Sequence, residues 1–242
     1  MSEAVTADDI HAVNSRFTLR IFYAFAALAL VSVAISVGGK VLGRAIAAAG
    51  QTESTTPYEI VIGRNALAVP ANMIRFDRQR RDGEATRLDL YVKWPQMTGY
   101  TNADRDAFNN RNGSRDIVFM TIEEKMMSRD MSGRLEPIYR RLIELPGARG
   151  PAAGLRVYAF SADSGYVDEQ LVVGERAGHE PFVARCLTGR AGIESLAGCE
   201  RDVHAGDELS VTYRFPEKML QNWQALDAAV LARTAEFLRP RR

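Results

Sequence analysis

A chain of 242 residues with a formal net charge of +1 has room for one domain plus accessory segments, and carries no general attraction for nucleic acid or acidic lipid. Apolar residues make up 46% and charged residues 25%, an ordinary globular mixture that argues against a low-complexity chain. Two cysteines and three histidines are so few that a dedicated zinc site would need nearly all of them plus a carboxylate.

The N-terminal region is read first. Residues 21–37, IFYAFAALALVSVAISV, carry no charge. With Gly38 and Gly39 added, a helix at ~1.5 Å per residue spans roughly 28 Å, close to the hydrocarbon thickness of a bilayer. Arg16 and Arg20 flank one end, Lys40 and Arg44 the other, and Phe17, Phe22, Tyr23 and Phe25 cluster where aromatic rings suit the interface. Ala47-Ala48-Ala49 matches the small-residue spacing of a signal-peptide cleavage site. That site lies twelve residues beyond Val37, with two basic residues between, so a retained anchor is the expectation.

The basic residues at the two ends tie, so they do not decide orientation. A short N-terminal tail and an even cysteine count favour an outer domain in an oxidising compartment. The expected organisation is a cytoplasmic tail at 1–20, a transmembrane helix at 21–42, a juxtamembrane linker at 43–57 and a periplasmic domain at 58–242, held in a bacterial inner membrane. Gly39, Gly43 and Ala47 fall on one helical face and are candidate helix-association positions.

After the anchor, QTESTTP (51–57) reads as a polar tether. Short apolar runs at 58–62, 66–69 and 73–76, separated by turn residues, suggest strands. Asp82-Gly83 is a tight-turn signal. In 87–94, Leu88, Leu90, Val92 and Trp94 alternate with polar partners, which predicts a half-buried strand. Residues 98–116 are polar, rich in asparagine, and expected as the longest surface loop. A strand follows at 117–122, and Leu135, Ile138, Tyr139 and Leu142 predict a short helix.

The last third gives strands at 155–160, 170–173, 181–186, from Cys199 through CERDV, and at 208–215. Met219, Trp223, Leu226, Val230 and Phe237 then recur at helical spacing over a final helix expected to pack on a sheet. The sum is an α+β chain: one membrane helix, a mostly antiparallel β-rich domain and a C-terminal amphipathic helix. No βαβαβ alternation is present, which argues against a doubly wound nucleotide-binding sheet.

Among chemically able residues, Cys186 and Cys199 are expected to form a structural disulfide closing a short loop. The alternative recruits them with His204 and His179 for metal, which would make the chain a metal-handling protein. His179-Glu180 is followed by Pro181, which forbids the helix of an H-E-x-x-H zinc site. There is no G-x-S-x-G elbow, and GARGPAAG lacks the P-loop lysine. The acid pairs Glu123-Glu124, Asp168-Glu169 and Asp207-Glu208 read as solvated surface. Arg78, Arg80 and Arg81 form a small basic cluster suited to lipid headgroups or an acidic partner. Trp94 and Tyr100, beside the long loop, are candidate partner-binding aromatics.

The layout of inner tail, single anchor and β-rich outer domain is similar to that of envelope accessory proteins, lipopolysaccharide-transport and secretion-system subunits among them. The similarity is of layout alone and carries no motif. The expected role is a non-enzymatic envelope protein with no cofactor, in contact with the lipid bilayer and another envelope or membrane protein, and not with nucleic acid. The alternatives are an anchored periplasmic hydrolase or the metal-handling protein.

Overall fold

A computed structural model of the chain describes residues 15–48 and 50–240. The chain is α+β and divides into two units, residues 1–50 and 51–242. In the first, α1 (Ser15–Ala48) is one helix of 34 residues that continues through the Gly38-Gly39 pair. Its stretch Leu19–Gly39 is long and apolar enough to cross a membrane. Phe22, Leu30 and Ile35 stand exposed there. Gly39 has open space where a side chain would stand. The surroundings of Gly43 and Ala47, like the tail 1–14, lie outside the described residues.

Among the described residues the second unit contains eleven strands: β1 (Pro57–Ile62), β2 (Asn65–Pro70), β3 (Gly83–Glu84), β4 (Arg87–Lys93), β5 (Ile117–Glu124), β6 (Ala148–Arg149), β7 (Leu155–Ala159), β8 (Glu169–Gly174), β9 (Phe182–Leu187), β10 (Cys199–Ala205) and β11 (Leu209–Phe215). Three short helices of the same unit are α2 (Arg105–Phe108), α3 (Gly189–Glu194) and α4 (Trp223–Phe237). Eight strands form one sheet in the order β4-β5-β11-β10-β9-β8-β7-β6, antiparallel throughout. The other three form a small sheet, β2-β1-β3.

Alternation explains how the layers assemble. Leu88, Leu90 and Val92 of β4, Val118, Met120 and Ile122 of β5, and Leu209, Val211, Tyr213 and Phe215 of β11 enter one core. Successive strand residues point to opposite faces, so a single face of the large sheet collects them. The small sheet adds Ile60, Ile62, Leu67 and Val69 to that core, and α4 adds Trp223, Leu226, Val230 and Phe237. Each fully buried side chain of this size contributes roughly 1.5–3 kcal/mol.

The opposite face of the large sheet is covered in two places. Met131, Leu135, Tyr139 and Ile143 pack on Leu171, Val173 and Val183. Tyr100 and Phe108 pack on Tyr91 and Ile117. Ser210, Thr212 and Arg214 of β11, with Glu200, Asp202 and His204 of β10, occupy that face between them. This strip is polar, as the strand parity requires.

Several expectations need correcting. Residues 73–76 are not a strand: a 3-10 turn at Ala71–Met73 leads to one β-bridge, Ile74 with Leu90. The helix expected around 135–142 is a run of turns with one 3-10 turn at Tyr139–Arg141; Leu135 and Tyr139 are buried, but Ile138 is exposed and Leu142 only partly buried. Within the long polar loop, residues 102–113 fold into short helical turns. The 51–56 segment is not a loose tether, because Thr56 and Ser54 carbonyls accept from the Ala71 and Asn72 amides at 3.0 and 2.8 Å.

Open sheet edges invite pairing with other chains, and the β4 and β2 edges each carry a partner. Lys93 bridges to Thr98 beside β4. Beside β2, Leu67 bridges to Leu238, and the Arg239 amide donates to the Ala66 carbonyl at 2.9 Å. Asn65, in the β1–β2 turn, reaches across to the β10–β11 turn. Its amide donates to the Asp207 carbonyl at 2.7 Å and accepts from the Asp207 amide at 2.8 Å.

Candidate binding surface

A concave surface lies where the small sheet and the turn at 75–81 meet β4. A cleft of about 710 Å³ opens there, and a second of about 260 Å³ shares Arg75, Arg87 and Asp89 with it. Together they form a groove running from Arg78 and Arg81, past Arg75 and Phe119, to Arg214 and Leu196. Five arginines line it against two acids, Glu84 and Asp89.

The two kinds of arginine in this groove differ. Arg87 is committed: it holds Asp89 through contacts of 2.9–3.2 Å and reaches the Thr121 hydroxyl at 3.2 Å. Burial pushes the Asp89 carboxyl up, but hydrogen bonds from Arg87, Thr121 and Gln79 outweigh it and hold the group below the usual carboxylate value. Arg75, Arg78 and Arg81 have no carboxylate partner among the described residues. Arg75 instead lies between two rings, 5.0 Å from the centroid of Phe76 and 4.9 Å from that of Phe119. Arg78 sits 5.0 Å from the Phe76 ring. Stacking of this kind holds a guanidinium in place while leaving its N–H donors free for an incoming group.

Arg80, the middle member of the basic cluster, turns inward. Its side chain is 7% exposed and donates to the Ala71 and Ile74 carbonyls at 2.9–3.2 Å. It fixes the turn from which Arg78 and Arg81 project. The acids nearest in sequence are also engaged: Asp77 accepts from Arg80 at 3.2 Å and Asp82 accepts from the Glu59 amide at 2.8 Å.

The candidate aromatics fare differently. Tyr100 is 1% exposed and meets the Phe108 ring edge-on at 5.4 Å. It anchors the loop and presents no face to a partner, because the residues after it fold back over Tyr91. Trp94 is half-buried and packs on the main core. Cys186 of β9 and Cys199 of β10 are opposite one another in the ladder and form a buried disulfide, with Cα atoms 4.0 Å apart. Both sulfurs are thereby withdrawn from metal coordination. His179 lies exposed in a turn. His204 faces Ser210 across the β10–β11 pair and shares a face with Asp202, but Asp202 is ion-paired with Arg134.

A second polar cluster is buried. Asp227 of α4, with no exposed surface, accepts from Arg201 at 2.9 Å, Arg176 at 2.6 Å and the Tyr213 hydroxyl at 2.5 Å. Arg201 also donates to the Ser132 hydroxyl at 2.9 Å and the Val183 carbonyl at 3.0 Å. Burial, and then the Asp227 carboxylate, push the Tyr213 hydroxyl well above its ordinary value, so it stays protonated and donates. Both Asp227 oxygens accept within the cluster, which makes it a staple between α4 and β9–β11.

No family model matches the chain, and no curated protein matches it either. Two solved structures match the chain. One is Smlt3025, an immunity protein of the Stenotrophomonas maltophilia type IV secretion system. It is 17% identical, with a TM-score of 0.54, over 77% of this chain and 95% of that one. This is a likeness of fold. The other is the Neisseria meningitidis iron-regulated outer membrane lipoprotein FrpD, 10% identical with a TM-score of 0.46, over 78% of this chain and 95% of that one.

Proposed function

We propose that this chain is a single-pass envelope protein: α1 holds it in the inner membrane, and the β-rich domain binds another protein outside the cytoplasm. The observation that carries the reading is a 21-residue apolar stretch, exposed along its length, in the same chain as a disulfide-closed domain. Disulfides persist in oxidising compartments, which supports the periplasmic side. The domain's polar residues support binding over catalysis, since the strongest cluster is consumed in holding α4, and the groove offers cations without a carboxylate partner among the described residues on a turn that Arg80 fixes. The fold shared with a secretion-system immunity protein adds a finer version, in which the bound protein is a secreted effector that the domain holds inactive.

The test is detergent extraction of the full-length chain followed by cross-linking and pull-down. A stoichiometric protein partner is expected. A strictly monomeric chain with a hydrolytic activity of its own overturns the reading.

A further inference from the structure

We infer that the Arg75–Arg78–Arg81 groove is the docking site for an acidic, extended segment of a protein partner. The inference rests on the partner-binding reading and names the chemistry of the site. Three guanidinium groups without a carboxylate partner among the described residues face one concavity, and two of them are held by aromatic rings. A guanidinium presents a planar fork of donors that matches a carboxylate bidentately. The volume of about 710 Å³ falls within the ~300–1,000 Å³ typical of ligand sites, and the adjoining cleft of about 260 Å³ extends it in one direction, as a strand-like segment needs.

The lining discriminates between classes of anion. Phe76, Phe119 and Leu196 give the groove apolar surface between its charges. A segment alternating acidic and apolar side chains satisfies both. A phosphodiester chain would leave the rings unmatched unless bases stacked there. A membrane surface binds projecting basic and apolar side chains, whereas these arginines flank a concavity that a flat bilayer does not enter.

The experiment is fluorescence anisotropy on the full-length protein in detergent. The probe is a short labelled peptide alternating glutamate with valine, with a glutamine-for-glutamate version as comparison. Binding of the acidic peptide is expected, weakening as salt screens the exposed charges. The Arg78→Glu/Arg81→Glu variant should lose about tenfold or more in affinity. Both side chains are exposed, so this variant keeps its fold, as an unchanged melting temperature would show. Arg156→Glu, on β7 at the far end of the sheet, should leave affinity unchanged. No binding, equal binding of the glutamine peptide, or equal affinity of the double variant overturns the inference. So does preference for phosphatidylglycerol vesicles over the peptide. A captured partner whose cross-links avoid residues 75–87 sinks the groove assignment and leaves the partner reading standing. Failure to capture any partner, beside tight peptide binding, does the reverse.

Discussion

Replacing Asp227 by alanine isolates the buried staple. The carboxylate has no exposed surface and gathers three donors. Its loss affects them unequally. Arg176 has a side chain 23% exposed and can rehydrate. Arg201, with a side chain 4% exposed, cannot. It keeps its bonds to Ser132 and Val183, but its charge is left in the core uncompensated. Breaking a buried ion pair by removing one partner costs about 3–5 kcal/mol. For a domain of this size, each kcal/mol shifts the melting temperature by ~2–4 °C, so a fall of roughly 6–20 °C is expected.

Circular dichroism melts of wild type, Asp227→Ala and the double variant Asp227→Leu/Arg201→Met read the effect. The double variant should recover most of the loss, because well-packed apolar residues often replace a buried pair without penalty. A melting temperature for Asp227→Ala within ~2 °C of wild type refutes the reasoning, and so does a double variant no better than the single. The pH dependence has a defined sign. Burial raises the Asp227 carboxyl, but Arg201, Tyr213 and Arg176 outweigh it and hold the group below its ordinary value. Its contribution is therefore fully present above the unfolded value of ~3.9 and fades as pH falls through the lower folded value. The gap between wild type and Asp227→Asn should narrow below pH ~4.

Three further outcomes are expected. Thiol titration of the unreduced protein should find no free thiol, and Cys186→Ala/Cys199→Ala should lower stability by about 3 kcal/mol, since the bridge closes a loop of sequence separation 13. Gly174→Ala should cost about 1–3 kcal/mol by overpacking, because a Cβ there would stand 2.9 Å from both Leu155 and Trp223; an unchanged urea midpoint would contradict this. The full-length chain should stay with membranes through an alkaline carbonate wash, and a reporter fused after Arg242 should report from the periplasm; a mature N-terminus at Gly50 or a cytoplasmic signal would count against the anchor or its orientation.

Much of the fold was legible because strand parity and helical spacing are local signals. The alternations in 87–94 and 208–215 match β4 and β11, and the Met219–Phe237 spacing leads to a helix buried on the expected side chains. The segment 135–142 shows the limit of that argument. Of its four pattern residues Leu135 and Tyr139 are buried, whereas Ile138 is exposed and Leu142 only partly buried; the burial is achieved by turns, with Leu135, Tyr139 and Ile143 reaching the sheet in the same cluster. Helical spacing fails here because the backbone that presents these residues is not a helix.

The groove was half legible. Arg78, Arg80 and Arg81 stand out as a charge run, but only the fold shows that Arg80 is spent on the Ala71 and Ile74 carbonyls. Arg75, Phe119 and Arg214 join the site from positions that nothing in the local sequence links. Arg201 carries a signal of its own: it occupies the inward parity position between Cys199 and Val203, where a charge demands a buried partner. That partner, Asp227, lies on the apolar stripe of α4, so each half of the pair is anomalous in its own pattern.

The closure of β2 by Leu238 and Arg239 has a consequence for how the molecule is made. Residues 65–70 leave the ribosome well before Leu238 and Arg239, which complete their edge. Asn65 likewise waits for Asp207 across a separation of 142 residues. Such non-local pairings form slowly, and an early strand with an unfilled edge is exposed to other nascent chains meanwhile. Truncation before Leu238 would make that interval permanent, turning a transient hazard of synthesis into a standing site for self-association.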